Sequence, residues 1–153
     1  MNLPHYNYTT TDFQEYEFYS IGPKGAIKKI VRFQQIQEDP VIYNLAFGDE
    51  DPITGDIDDS VISNNEDRDI ILATVARSVI EFCDHYGDHF ILAKGSTPVR
   101  TRLYQMGINR LLPEISADFD IFGYTGELLH TFETNINYDA FLVKRNNRIF
   151  DNK

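Results

Sequence analysis

Only one cysteine, Cys83, occurs in the 153 residues. That excludes an internal disulfide and a multi-cysteine zinc site, and it fits a reducing cytoplasm. No apolar run approaches the roughly 18 residues of a membrane span, so no membrane association is expected. The start, Met1-Asn2-Leu3-Pro4-His5-Tyr6, lacks a basic n-region and an apolar h-region, and no secretory signal is expected. Cations are scarce: 14 Lys and Arg stand against 24 Asp and Glu, a formal charge of −10. Uniform coating of nucleic acid or of an anionic membrane is thereby excluded. The G-x-S-x-G elbow, the Walker A loop and the dinucleotide fingerprint are absent, which removes the usual supports for hydrolase, NTPase and oxidoreductase readings. His85 and His89 straddle Gly87, so they lack the i, i+4 geometry of a helical metal pair. No metal and no cofactor are expected.

What is present suits a packed interior. Hydrophobic residues make up 42% and aromatics 13%, and the length fits one core. The expectation is a single α+β domain over residues 1–145 with a polar tail over 146–153. Residues 13–20 and 26–37 read as strands around the turn Ile21-Gly22-Pro23-Lys24-Gly25. On the second of these, Ile27, Lys29, Val31, Phe33 and Gln35 share a face. Strands over 41–48 and about 57–62 complete an antiparallel meander. Ser63-Asn64-Asn65-Glu66 has the spacing of a capping box. An amphipathic helix follows to Tyr86, with Ile71, Val75, Val79, Phe82 and Tyr86 on its apolar stripe and Gly87 as its stop. On this helix Cys83 reads as a small packing residue. Residues 89–94 form a short, buried central strand. A second helix opens at Gly95-Ser96-Thr97-Pro98, with Ser96 or Thr97 as N-cap and Val99, Leu103 and Met106 on one face. Strands over 118–124 and 138–145, joined through Gly126, end the domain. The fold class is thus an antiparallel β-meander followed by helix-strand-helix-strand-strand, two main helices on a mixed sheet.

Charge is segregated along the chain. Residues 49–69 hold nine carboxylates and one Arg68, whereas residues 89–113 hold none and carry Lys94, Arg100, Arg102 and Arg110. A segment of +4 therefore leaves −14 for the rest. The acidic turn at Asp49–Asp59 lacks the EF-hand spacing and reads as a solvated turn. With Thr97 as N-cap, Arg100 and Arg102 sit at the positive end of the helix dipole, costing about 0.3–1 kcal/mol each unless an anion is near. Lys94, Gly95, Ser96, Thr97, Arg100 and Arg102 together have the parts of a phosphate or carboxylate cradle. Two readings stay open: an external anion, or ion pairs between these arginines and the 49–69 carboxylates.

The stretches Tyr19-Ser20-Ile21-Gly22-Pro23-Lys24-Gly25, Tyr43–Asp49, Ser63-Asn64-Asn65 and Lys94–Tyr104 resemble a family of small bacterial proteins known as a domain of unknown function. The resemblance covers roughly residues 14–145 and implies a bacterial cytosolic protein, with no activity attached. A weaker likeness is to the topology of GCN5-related N-acetyltransferases. Leu103-Tyr104-Gln105-Met106-Gly107-Ile108 is similar to the end of that family's last core helix, and the likeness implies for Tyr104 the protonation of a departing coenzyme A thiolate. The place of that family's glycine-rich pyrophosphate turn reads Asn64-Asn65-Glu66-Asp67-Arg68-Asp69, acidic and without glycine. The expectation is an interaction protein, in a setting such as a toxin–antitoxin or defence module. It would have a protein partner, or a local nucleic-acid or phosphate contact, at residues 94–102, with Tyr104 as a stacking platform. The alternative is an acetyltransferase-like enzyme.

Overall fold

In the computed structural model, which describes residues 3–58 and 64–146, the chain forms a mixed eight-stranded sheet and three helices. The meander consists of β1 (Glu15–Gly22), β2 (Gly25–Glu38) and β3 (Val41–Glu50), with the two-residue β4 (Ile57–Asp58) against the end of β3. Then come α1 (Arg68–Tyr86), β5 (Phe90–Ala93), α2 (Pro98–Arg110), α3 (Leu112–Asp118), β6 (Phe119–Thr125), β7 (Leu128–Thr131) and β8 (Ala140–Arg145). The sheet order is β1-β2-β3-β5-β8-β6-β7. Strands β3 and β5 run parallel, Ile42 opposite Phe90 through Leu45 opposite Ala93, while the other described pairs are antiparallel. This is the α+β architecture that the strand and helix spacing predicts. Helix α3 and strand β7 are additions. The first is a seven-residue helix entered through Pro113, and the second is an outermost strand whose Leu128 and Leu129 are exposed, so neither carries a periodic pattern.

Alternation on β2 sends Val31 and Phe33 into the core with Tyr16 and Phe18 of β1. Phe82 of α1 stacks on Phe33 at 4.3 Å between centroids and meets Tyr43 edge-on at 4.8 Å. Each such aromatic contributes about 1.5–3 kcal/mol by leaving water. Gly87, at φ 106°, ends α1 as expected and gives its N–H to the Cys83 carbonyl at 2.8 Å. Arg145 ties the end of β8 to the last turns of α1 through Asp84 and the Ile80 carbonyl at 3.2 Å, and to the link after the helix through Asp88 at 2.7 Å.

Two helix expectations are corrected. The capping box is not the start of α1: Glu66 has φ 60°, outside the helical region, and the helix begins at Arg68 with Asp67 at the N-cap. Ser63 lies outside the described residues, as do residues 59–62 of the expected fourth strand and residues 147–153 of the expected tail. On α2, Val99 and Met106 face solvent at 62% and 44% exposure, and only Leu103 of that expected stripe is partly covered. The buried face carries Arg100, Thr101, Gln105, Gly107 and Ile108. Its polarity has a partner: Gln105 donates to the Ile136 carbonyl and accepts from the Tyr138 N–H at 3.1 Å, so α2 holds the 136–138 loop by polar contacts while Ile108 joins the apolar core.

Cys83 is buried, and burial pushes its thiol up to about 11. The folded protein is expected to leave a thiol reagent unreacted at pH 8. Its stability falls as pH rises from about 9 toward about 11, since the unfolded thiol ionises there and the folded one resists. The difference in urea midpoint between wild type and Cys83→Ala across that range checks the effect; a constant difference contradicts it.

Candidate functional site

Beyond Leu45 and Ala93 the parallel pair ends, because β3 runs on to Glu50 while the chain after β5 turns away into α2. A cavity of about 220 Å³ opens under α1 and α2 at this place. Its floor is Leu45 and Phe47 of β3, Ala93 of β5 and Phe141 of β8. Helix α1 supplies Ile71, Leu72 and Val75; α2 supplies Leu103, Tyr104, Gly107 and Ile108. Residues 71, 72 and 75 on one helix and 100, 103, 104, 107 and 108 on the other recur at helical spacing, so each helix turns one face to the hollow. Gly107 lets the helices approach: a Cβ there would stand 2.9 Å from Leu72 Cδ2. The polar lining is unbalanced in charge. Four cations (Lys29, Arg68, Arg100, Arg110) share the wall with one carboxylate, Asp49.

These cations occupy two levels. Lys29 and Arg100 are buried, at 4% and 7% exposure, and Lys29 pairs with Asp49. Asn64, Arg68 and Arg110 are exposed and form the mouth. Arg110 bonds Asp69 from Nε at 3.0 Å and from Nη2 at 2.8 Å. Among the described residues Arg68 has no ion-pair partner. A lone apolar hollow would exclude charge; one with cations at both levels suits an anion carrying an apolar body.

The structure divides the residues of the expected cradle. Arg100 and Tyr104 line the cavity; Lys94, Ser96, Thr97 and Arg102 are exposed beyond its wall. Arg102 turns to the opposite side of α2 and bonds Asn137 at 2.6 Å, not the acidic 49–69 segment. The start of α2 is closed on itself. Thr97 Oγ1 accepts from the Arg100 N–H at 3.2 Å, and the Gly95 N–H donates to Thr101 Oγ1 at 3.0 Å. Gly95 is therefore required for a different approach than that of a ligand. A Cβ there would lie 2.7 Å from Arg100 Cβ and closer still to the Thr101 nitrogen, so the glycine admits the first turn of α2. Lys29, Asp49 and Arg68 were not expected at the site. Lys29 had a signal in the sequence, as the one charged residue between the apolar positions of the inward face of β2; Asp49 and Arg68 had none, since they sit inside an acidic run.

The sequence model of the Family of unknown function (DUF6934) matches residues 2–146. The chain belongs to this family. No curated protein and no solved structure matches it. No described helix is long and apolar enough to cross a membrane.

In this DUF6934 member, the Tyr19–Gly25 stretch and Asn64-Asn65 meet as one packing cluster. Asn65, 2% exposed, donates to the Gly25 carbonyl at 2.9 Å and to Ser20 Oγ at 3.1 Å, and its Oδ1 accepts from the Lys24 N–H at 2.7 Å. Its backbone carbonyl lies where a Cβ on Gly22 would stand. Asp67 accepts from Ser20 Oγ at 2.5 Å and from Tyr6 OH at 2.6 Å. Partial burial and then the bond to that carboxylate raise the Tyr6 phenol above its ordinary value. The cluster fixes the start of α1 against the first hairpin, and so fixes Asn64 and Arg68 at the cavity mouth.

Proposed function

We propose that this protein binds a small anion with an apolar body in the cavity between α1, α2 and the sheet. The observation that carries the reading is the lining: apolar side chains from α1, α2, β3, β5 and β8, with four cations to one carboxylate, in a chain of net charge −10. Against that background a local excess of cations concentrates anions at one place. A volume of about 220 Å³ lies below the roughly 300–1,000 Å³ of drug-sized sites, so the enclosed part of the ligand is small.

Two other uses give different results in the same assay. A protein or nucleic-acid partner at residues 94–102, as in a toxin–antitoxin or defence module, draws on the exposure of Lys94 and Arg102. Acetyl transfer from a coenzyme A-type thioester draws on Tyr104 beside the parting of β3 and β5, with the Tyr104 hydroxyl as acid.

A thermal-shift panel of short alkyl carboxylates, alkyl phosphates, nucleotides and coenzyme A tests the reading. A ligand at a hundredfold its Kd stabilises by about 2.7 kcal/mol, which raises the Tm of a chain this size by about 5–10 °C. The expected result is such a rise with an amphipathic anion, equal in wild type and Arg102→Ala. A rise with coenzyme A alone, together with acetyl-transfer turnover that Tyr104→Phe abolishes, favours acetyl transfer. Binding of oligonucleotide or protein that Arg102→Ala weakens, with no small ligand, favours the partner.

A further inference from the structure

The two levels of charge in the cavity also define how its ligand lies and what kind of anion it is. Resting on the reading above, we infer that the ligand is a single-headed amphipathic anion, a carboxylate or phosphate monoester on a short apolar chain or ring. Its head stays at the mouth against Arg68, and its body enters between the helices.

Three observations lead there. The inner cations already have contacts within the fold: Lys29 pairs with Asp49, and Arg100 is held there too, with its buried Nε left without a hydrogen bond. A head driven down to them would be stripped of water and would have to compete with the Asp49 carboxylate, an expensive exchange for a buried charge. At the mouth the balance is reversed. Arg68 is exposed and has no ion-pair partner among the described residues, and Arg110 stands beside it, held by Asp69. A head placed there keeps part of its hydration while meeting a planar guanidinium that suits carboxylate and phosphate alike. Between these levels the wall is Leu45, Phe47, Ile71, Leu72, Val75 and Ile108, which offers an entering chain no polar partner along its side chains. A second charged group on the ligand would have to sit among them, so one head is specified.

Calorimetric titration of the full chain with a series from butanoate to octanoate, hexyl phosphate and 1-hexanol tests this. Each added methylene is expected to tighten binding about three- to fourfold until the hollow is full. Hexanoate and hexyl phosphate bind at least tenfold tighter than 1-hexanol. Arg68→Ala removes about five- to twentyfold from both anions and leaves the methylene increment and 1-hexanol unchanged, Arg68→Lys restores part of the loss, and Arg102→Ala, an equal change of charge outside the cavity, changes nothing. The relative response of carboxylate and phosphate heads tells the two sources apart. If the methylene increment appears but Arg68→Ala has no effect, the head lies elsewhere and this inference falls while the cavity keeps its ligand. If no member of the series binds, the cavity reading and this inference fall together.

Discussion

Gly95→Val, at a buried position, is expected to lower stability by about 3–5 kcal/mol. The glycine adopts no left-handed backbone, so the cost is steric. A Cβ would meet Arg100 at 2.7 Å and, closer still, the Thr101 nitrogen. What it meets is helix backbone, which cannot swing aside as the tip of a flexible side chain does. Relief requires the first turn of α2 to move off the end of β5, and that breaks the bond from the Gly95 N–H to Thr101 Oγ1. The same movement displaces Arg100, Leu103 and Tyr104, three residues of the cavity wall. Loss of the proposed ligand binding is therefore expected alongside loss of stability. Val99→Ala is the control, because Val99 is exposed and changes stability by less than about 0.5 kcal/mol. Urea unfolding of both variants checks the pair. A Gly95→Val protein within about 1 kcal/mol of wild type contradicts the packing described.

Asn65→Ala is expected to cost about 2–4 kcal/mol, again by urea unfolding. The side chain joins two turns that are some 40 residues apart in sequence, and its loss leaves the Gly25 carbonyl and Ser20 hydroxyl in a buried place with fewer partners. The neighbouring Glu66 discriminates between two origins for α1. A capping box makes Glu66 stabilising and its loss costly. Its φ of 60° makes it a residue that glycine replaces at little or no cost, so Glu66→Gly stays within about 1 kcal/mol of wild type in either direction. A loss near 2 kcal/mol in Glu66→Gly, with Asn65→Ala neutral, restores the capping box.

The contrast between these residues locates what was legible in the amino-acid order. Thr97-Pro98 and Gly87 act on their own neighbours, so the N-cap of α2 and the stop of α1 follow from local chemistry alone. Alternation on β2 depends on one sheet face and puts Val31 and Phe33 on the same side, where both are buried. The inner face of α2 does not follow from its own residues. Gln105 is buried because residues 136 and 138, about 30 positions later, need its amide, and an apolar stripe through Val99 and Met106 is the wrong choice for that neighbour. The cavity is less legible still. Arg100 and Tyr104 stand out as part of a carboxylate-free segment. Lys29 comes from β2, Asp49 from β3 and Arg68 from α1, outside that segment. Only the pairing of β3 with β5 and the approach of the helices at Gly107 brings them to one hollow.

The central claim is that this hollow takes a small amphipathic anion, and filling it is the most direct test. Ala93→Leu adds bulk from the floor, and Leu103→Phe adds it from α2. Calorimetric titration of hexanoate into wild type and both variants, each first shown by circular dichroism to be folded, is the measurement. Saturable one-to-one binding to wild type is expected, with at least a tenfold loss in the filled variants. Equal affinity in all three proteins, or no saturable binding to wild type, contradicts it.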